Sequence, residues 1–476
     1  MSGALAHGAG RQAPASQTPA PRRWIPPLFL LAALCSLGAG ACAPKAPVRT
    51  TLPPPVAPPL PDSRPEPGVS PFPWDQLRQA PEMRILLARD VSAVELVSDQ
   101  GLLILDHEED DLARYGPGQR LQLFHHPRSP ERLSVYSEIW RGAKQARAER
   151  KRLPFGQSVV IQPLKGGTLL INGREYRGRV RLVRSGDHFD CVNLVPMELY
   201  LRGVVPHEIG RLGREGFEAL KAQAIASRNY ALQRMVESRH RSYDMVSTVF
   251  DQVYKGAEEE WPLANLAIDQ TRGQVLWIDG QPAEVYYSST CGGASADIHE
   301  VWNHAPVSHL RKVRDADEEG RSWCRTSQYF RWRHSWSARE LGAILRAYLP
   351  QAAGLPAGTP IGRLVDLNIT RSTADSRASL LEVLTDTGRY EVKGDRIRSA
   401  LKRDLQGNAL RSIMFRLQKQ YDDEGRLVRI VARGAGWGHG IGLCQVGAIS
   451  RSRLGQDHRR ILAAYFPGTE LRRLWR

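Results

Sequence analysis

From about Met83 onward, apolar residues come in short runs separated by polar positions, the period-two habit of strands that bury one face. MRILLARDVSAVELVS, QSVVIQPL, GTLLING and YRGRVRLVRS follow one another, divided by Gly or Pro, and predict a β-rich region over residues 76–185. Strand-like runs return in GQVLWIDG, PAEVYYSST, LVDLNIT, SLLEVLT, RYEVKG and LVRIVARGAG. One long stretch breaks this rhythm. Residues 215–237 (EGFEALKAQAIASRNYALQRMVE) put Phe217, Leu220, Ala224, Ala231 and Met235 on one helical stripe. The stretch is rich in Ala, Leu, Gln, Lys and Arg, which lose little entropy in a helix. Its alanines carry so little bulk that another backbone can approach. The pattern predicts an α+β protein: a β-rich, mixed-sheet fold with one prominent helix following the candidate catalytic loop. Arg177, Arg179 and Arg181 alternate along one strand, which predicts a solvated basic face, with Arg184 beyond it.

The N-terminal residues follow other rules. No acidic residue precedes Asp62, and Arg22 and Arg23 stand before the apolar run 28–34 (LFLLAAL). That run is too short to span a bilayer, which takes about 20 apolar residues. A basic start, a short apolar run and small residues at the exit read as a secretory leader over residues 1–41. Ala39-Gly40-Ala41 directly before Cys42 resembles a bacterial lipobox, with Leu37 one residue early; the resemblance implies a lipid on Cys42. Cleavage near Ala41 or Ala43 without a lipid is the alternative. Residues 43–73 hold 12 of the 32 prolines, so residues 42–75 are expected to form an extended tether rather than a core. Residues 186–476 remain for a catalytic domain.

Composition narrows the function classes. The 476 residues are 42% hydrophobic and 24% charged, which excludes a largely disordered or collagen-like chain. Six cysteines in so long a chain exclude a small disulfide-stapled scaffold. With 66 Lys+Arg against 50 Asp+Glu, the formal charge is +16, which favours an acidic partner. An exported chain makes nucleic acid a poor choice for that partner.

Three clusters carry candidate chemistry. In the first, Glu208 lies among Val204, Val205, Pro206 and Ile209, just upstream of the long helix. Apolar neighbours strip water from a carboxyl and raise its pKa, whereas a following helix N-terminus would lower it. A carboxyl still protonated near neutral pH is what general-acid cleavage of a glycosidic bond needs. The second cluster is Tyr286-Tyr287-Ser288-Ser289-Thr290-Cys291-Gly292-Gly293, hydroxyls and glycines at a strand end. Cys291 has Cys324 as its best partner, and three readings stay open for the pair: a disulfide, metal ligands with His299, His304 or His309, or free thiols. Cys191 and Cys444 read as solitary. The third cluster alternates glycines at 434, 436, 438, 440 and 442 around Trp437 and His439, with Gln445 beyond; it predicts a bare surface from which Trp437 and His439 project together. Neither HExxH nor GxSxG is present, so a zincin or a serine hydrolase is excluded.

Taken together, VNLVPMELYLRGVVPHEI, EALKAQAIASRNYAL, YDMVSTVFDQVYKG, TRGQVLWIDGQPAEVYYSSTCGG and GAGWGHGIGLCQVGA resemble the stage II sporulation protein D and amidase-enhancer family of bacterial cell-wall proteins. The resemblance implies a lytic transglycosylase that cuts MurNAc–GlcNAc links of peptide-stripped glycan and leaves 1,6-anhydro-MurNAc ends. Glu208 matches the catalytic acid of the V-V-P-x-E motif. Arg228, Tyr287, Ser289, Thr290, Cys291, Gly292, Trp437, His439 and Gln445 fall at positions the resemblance assigns to substrate binding. Some members hold zinc through a His before S-T-C-G-G; Tyr287-Ser288 stand there in this chain, so no cofactor is expected. The amidase enhancers imply a second role, a non-catalytic wall binder that stimulates an N-acetylmuramoyl-L-alanine amidase. The implied partners are peptidoglycan glycan strands, an amidase, and a membrane held through Cys42. The implied place is the bacterial envelope, facing the periplasm.

Overall fold

The computed structural model describes residues 72–125, 129, 131–141 and 144–476. The leader, the Cys42 lipidation site and residues 42–71 of the tether lie outside the described residues.

The strand Glu82–Val91 organises the N-terminal half. It pairs antiparallel with His188–Pro196 and parallel with Met245–Val246, and so draws together segments far apart in sequence. The seven-stranded sheet runs in the order Met245–Val246, Glu82–Val91, His188–Pro196, Arg179–Ser185, Ser158–Pro163, Leu102–Leu105, Asp111–Tyr115. A six-stranded antiparallel sheet runs Arg174–Arg177, Thr168–Ile171, Ala93–Val97, Arg120–His125, Arg132–Arg141, Lys144–Pro154. In Arg120–His125, Leu121 and Leu123 point inward while Phe124 faces solvent, the alternation expected of a half-buried strand. Ile85, Leu121, Val159 and Leu182 from the two sheets share one core with the helices behind them. Leu86, Val160, Val192 and Val246 pack on the opposite face of the seven-stranded sheet.

The boundary read at 185/186 falls in a hairpin turn, where Ser185 pairs with His188. One sheet therefore runs across it, and the β-rich region is built into the same body as the rest. The basic face also differs from expectation. Gly178 divides the run into two strands belonging to different sheets, and Arg177 and Arg179 are ion-paired. Arg177 pairs with Glu260, and Arg179 with Glu82 and Glu109 at 3.0 and 3.1 Å. Arg181 is half-buried, and desolvation lowers its pKa.

Beyond the His188–Pro196 strand the chain forms helices α1 (Met197–Arg202), α2 (Val205–Ile209) and α3 (Phe217–Glu237). α3 is buried on all sides from Ala222 to Leu232, including Gln223, Ser227, Arg228 and Asn229. It is a central helix, not one lying on the surface with an apolar stripe. Its alanines admit the helices Pro262–Gln270, Gln445–Arg453 and His458–Tyr465 and the strand Gln274–Ile278. The later strands form smaller sheets. Leu364–Ser372, Ala378–Thr385 and Gly388–Lys393 make one, and Leu427–Gly434 lies between Trp332–Ser337 and Phe415–Tyr421 in another. Of PAEVYYSST, Pro282 ends the short strand Gln281–Pro282, and Tyr287–Ser288 forms another, paired in parallel with Leu443–Cys444. That short pairing brings the second and third sequence clusters side by side. Among the described residues no helix is long and apolar enough to cross a membrane.

Candidate active site

Glu208 sits on α2, a single turn entered through Val204 and left at Gly210, whose φ of 91° reverses the chain towards α3. Val204, Val205 and Ile209 are buried around it. The Glu208 side chain is half-buried: one carboxyl oxygen accepts the Val253 N–H at 3.0 Å, and the Gln445 amide also bonds the carboxyl. Loss of hydration pushes its pKa up to about 7, outweighing the two hydrogen bonds that favour the anion. No cation pairs with it among the described residues. The tension between burial and helix dipole is thus resolved for burial: Glu208 lies within its own one-turn helix, separated from the start of α3 at Phe217.

Tyr287 lies beside this carboxyl, whose negative charge, after burial, helps raise the phenol pKa. Gln252 donates to the Tyr287 hydroxyl at 2.8 Å and accepts from the Tyr200 hydroxyl at 2.9 Å. Gln445, at the start of its helix, donates to Gln223 of α3 at 3.4 Å. Glu208, Tyr287 and Gln445 therefore converge from three segments, held by Gln252, Val253 and Gln223. Gln223, Gln252, Val253 and Tyr200 lie within the stretches that carried the resemblance, yet sequence alone did not single them out. Their role depends on tertiary pairing.

The remaining candidates divide. Ser289 and Thr290 continue from Tyr287; their hydroxyls are 3.3 Å apart, and Thr290 reaches Ser327 at 2.9 Å. Gly292 is buried against Met414 and Ala435. Trp437 is 40% exposed and stacks edge-on with Tyr329, ring centres 4.2 Å apart, with the Arg411 guanidinium 5.2 Å from the Tyr329 ring. His439 does not project with it. Its Nε2–H donates to the Tyr287 carbonyl at 2.9 Å, its Nδ1 accepts the Ile441 N–H at 3.0 Å, and Trp302 packs at 5.0 Å. Burial lowers its pKa to about 4, so it is a neutral structural histidine beneath the Tyr287 backbone. Alternating glycines serve this closeness rather than a bare surface. At Gly442, with φ 68°, a Cβ would stand 2.2 Å from the Tyr286 carbonyl oxygen.

Arg228 is not in the site. It is wholly buried in a pair with Glu198 at 2.8 Å and donates to the Gln274 carbonyl at 2.9 Å. Glu198 also accepts from Gly273 N–H and Trp475 Nε1. This network ties α3 and α1 to the chain's end; a motif match cannot tell a groove arginine from a buried one. Cys291 and Cys324 do meet, with sulfurs 3.7 Å apart and unbonded. Cys444 is not solitary: it accepts the Cys291 N–H at 3.3 Å. His299, His304 and His309 take no part in this group.

Residues 185–277, which include Glu208 and all of α1 to α3, match the family model described as stage II sporulation protein. Residues 322–442 match a domain of unknown function. The chain is 28% identical over 324 residues to an uncharacterized protein of Brachyspira hyodysenteriae, covering 67% of this chain and 77% of that one. It is 26% identical over 349 residues to the amidase enhancer of Bacillus subtilis, covering 67% of this chain; it spans only 47% of that relative's length. With stage II sporulation protein D of Bacillus subtilis it shares 26% identity over 295 residues, 59% of this chain and 75% of that protein. Residues 185–277 thus carry a stage II sporulation protein domain, and the chain around it is similar to both stage II sporulation protein D and the amidase enhancer.

Proposed function

We propose that the chain is an envelope lytic transglycosylase that cleaves MurNAc–GlcNAc bonds of peptide-stripped peptidoglycan, with Glu208 as general acid and then base. The observation that carries this reading is one carboxyl, half-buried, with no cation paired to it among the described residues, and with its pKa raised to about 7. Such a group holds a proton at the pH where it must give it up. Glu208 protonates the bridging oxygen as its bond to the MurNAc C1 breaks. The MurNAc C6 hydroxyl then bonds to C1, and its proton passes to the Glu208 carboxylate, which restores the acid. Ordinary glycosidases need a second carboxyl to handle water or to act as nucleophile. Here the sugar supplies its own nucleophile, so one carboxyl suffices. The Val253 N–H and the Gln445 amide stabilise the transient carboxylate, and the Trp437–Tyr329 pair offers an apolar face for a sugar ring.

The family supports a role at the cell wall, and the charge of +16 suits glycan that keeps a lactyl carboxylate on each MurNAc. We place the protein outside the cytoplasm, anchored through a lipid on Cys42. A second reading, a non-catalytic wall binder that enhances an amidase, is favoured by the likeness to the amidase enhancer. Two assays separate them. Peptide-free glycan strands are incubated with the full chain and examined by mass spectrometry for anhydro-MurNAc ends, and amidase stimulation is measured alongside. Products that vanish with Glu208→Gln support the enzyme; stimulation that survives Glu208→Gln, without anhydro products, supports the enhancer.

A further inference from the structure

Beneath the Tyr287–Gly292 segment lies a second cluster, distinct from Glu208. Cys291, Asp315, Cys324 and Cys444 are all buried, and their donor atoms lie within 4.8 Å of one another. We propose that these four side chains form a closed, tetrahedral zinc site that clamps the segments carrying Tyr287 and Gln445.

The spacing fits a metal. With Zn–S near 2.3 Å and Zn–O near 2.0 Å, a tetrahedron has S···S edges of about 3.8 Å and S···O edges of about 3.5 Å. The Cys291 and Cys324 sulfurs are 3.7 Å apart, and Cys291 Sγ stands 3.2 Å from Asp315 Oδ2. The outer contacts point the donors inward. The other Asp315 oxygen accepts from the Tyr465 hydroxyl at 2.7 Å and lies 3.6 Å from Arg451, leaving Oδ2 for the centre. Cys444 takes the Cys291 N–H, and Ser322 lies 3.4 Å from the Cys324 sulfur; both contacts suit thiolates bound to a metal.

The donor count argues against the alternatives. A Cys291–Cys324 disulfide would leave a third thiol and a carboxylate buried together with nothing to join them. Four free groups would crowd three thiols against Asp315 Oδ2, with the nearby cation, Arg451, on the other carboxyl oxygen at 3.6 Å. Three sulfurs and one carboxylate in a tetrahedron suit zinc, whereas magnesium or calcium would require a shell of oxygens. The set contains no histidine and differs from the arrangement expected before S-T-C-G-G, where Tyr287 and Ser288 stand. Four protein ligands leave no open position, so the metal is structural. It would join the strand end at 291, the segment carrying 315 and 324, and the parallel strand at 444. Cys444 immediately precedes Gln445, which bonds Glu208, so the clamp would fix one wall of the site. This inference is independent of whether the glycan is cut.

The full chain, purified without chelator, is tested by elemental analysis, by a thiol reagent and by exchange with Co2+. The expected results are one zinc per chain, and three thiols that become reactive only when chelator and denaturant are both added. Cobalt exchange should give strong thiolate-to-cobalt charge-transfer absorption. Cys444→Ser and Asp315→Asn should each weaken zinc retention at least tenfold, whereas Cys191→Ser should retain the metal in full. Should either ligand variant fail to fold, the wild-type zinc content and thiol count still decide. Metal-free wild type whose Tm does not respond to added zinc, or a Cys291–Cys324 disulfide in the unreduced peptide map, would overturn the proposal.

Discussion

At the scale of single residues, the account rests on the environment of one carboxyl. Glu208 was legible because Val204, Val205 and Ile209 surround it in the chain itself, and burial could be argued from them. Its hydrogen-bond partners were not legible: Val253 and Gln445 arrive from 45 and 237 residues away, and no local pattern announces them. A stability prediction follows from the raised pKa. The folded carboxyl titrates near 7 and an ordinary one near 4.5, so the folded state binds the extra proton between those values. Stability from this group is therefore full at low pH and is lost as pH rises through 7. Glu208→Gln removes the ionising group. It should gain stability over wild type on the order of 2 kcal/mol at pH 8, with little gain at pH 4. Thermal melts at the two pH values check this; an equal difference at both would show that the carboxyl titrates normally.

Elements were read unevenly. α3 was plain from composition, but its burial on all sides was not, because Gln223, Ser227, Arg228 and Asn229 look polar until their buried partners are known. Asn229 donates to the carbonyls of Leu276 and Ala283, and Arg228 pairs with Glu198, so polar residues hold the core's interior strand in place. Arg228→Met should cost about 3–5 kcal/mol of stability by leaving Glu198 buried without its cation. Denaturant titration reads the loss; a variant of normal stability that had lost only glycan affinity would return Arg228 to the groove. The helix Ala338–Ala352 carries a local signal in its sequence, the capping box of Ser337 and Glu340 at its start. The glycine-rich segment is unusual for what packs against it. Gly436, Gly438 and Gly442 lie against the 286–292 segment, a tertiary contact that spacing alone does not reveal, whereas Gly434 meets Trp332 and Gly440 meets Arg377. Gly442→Ala should destabilise by about 2 kcal/mol or more, since a Cβ there meets the Tyr286 carbonyl oxygen. An unchanged Tm would mean that the two segments do not touch.

For the whole molecule, sequence pattern gave the class, α+β with mixed sheets, but not the way the parts join. Strand Glu82–Val91 pairs with strands that begin at His188 and at Met245, so the β-rich region and the rest share one sheet. Period-two patterning identifies a strand and is silent on its partner. Net charge, in contrast, is a property of the whole chain and was readable at once. If the +16 charge draws the protein to stripped glycan, its affinity for those strands in sedimentation assays should fall several-fold between 50 and 300 mM salt. Salt-independent binding would shift recognition to the aromatic pair Trp437 and Tyr329. The central claim, a protonated Glu208 that gives its hydrogen to a bridging sugar oxygen, is tested most directly by the pH dependence of anhydro-MurNAc formation on peptide-free strands. The account predicts a rate that is level below neutrality and falls as pH rises past about 7, with no product from Glu208→Gln. A rate that climbs through pH 7, or product from Glu208→Gln at the wild-type rate, would contradict it.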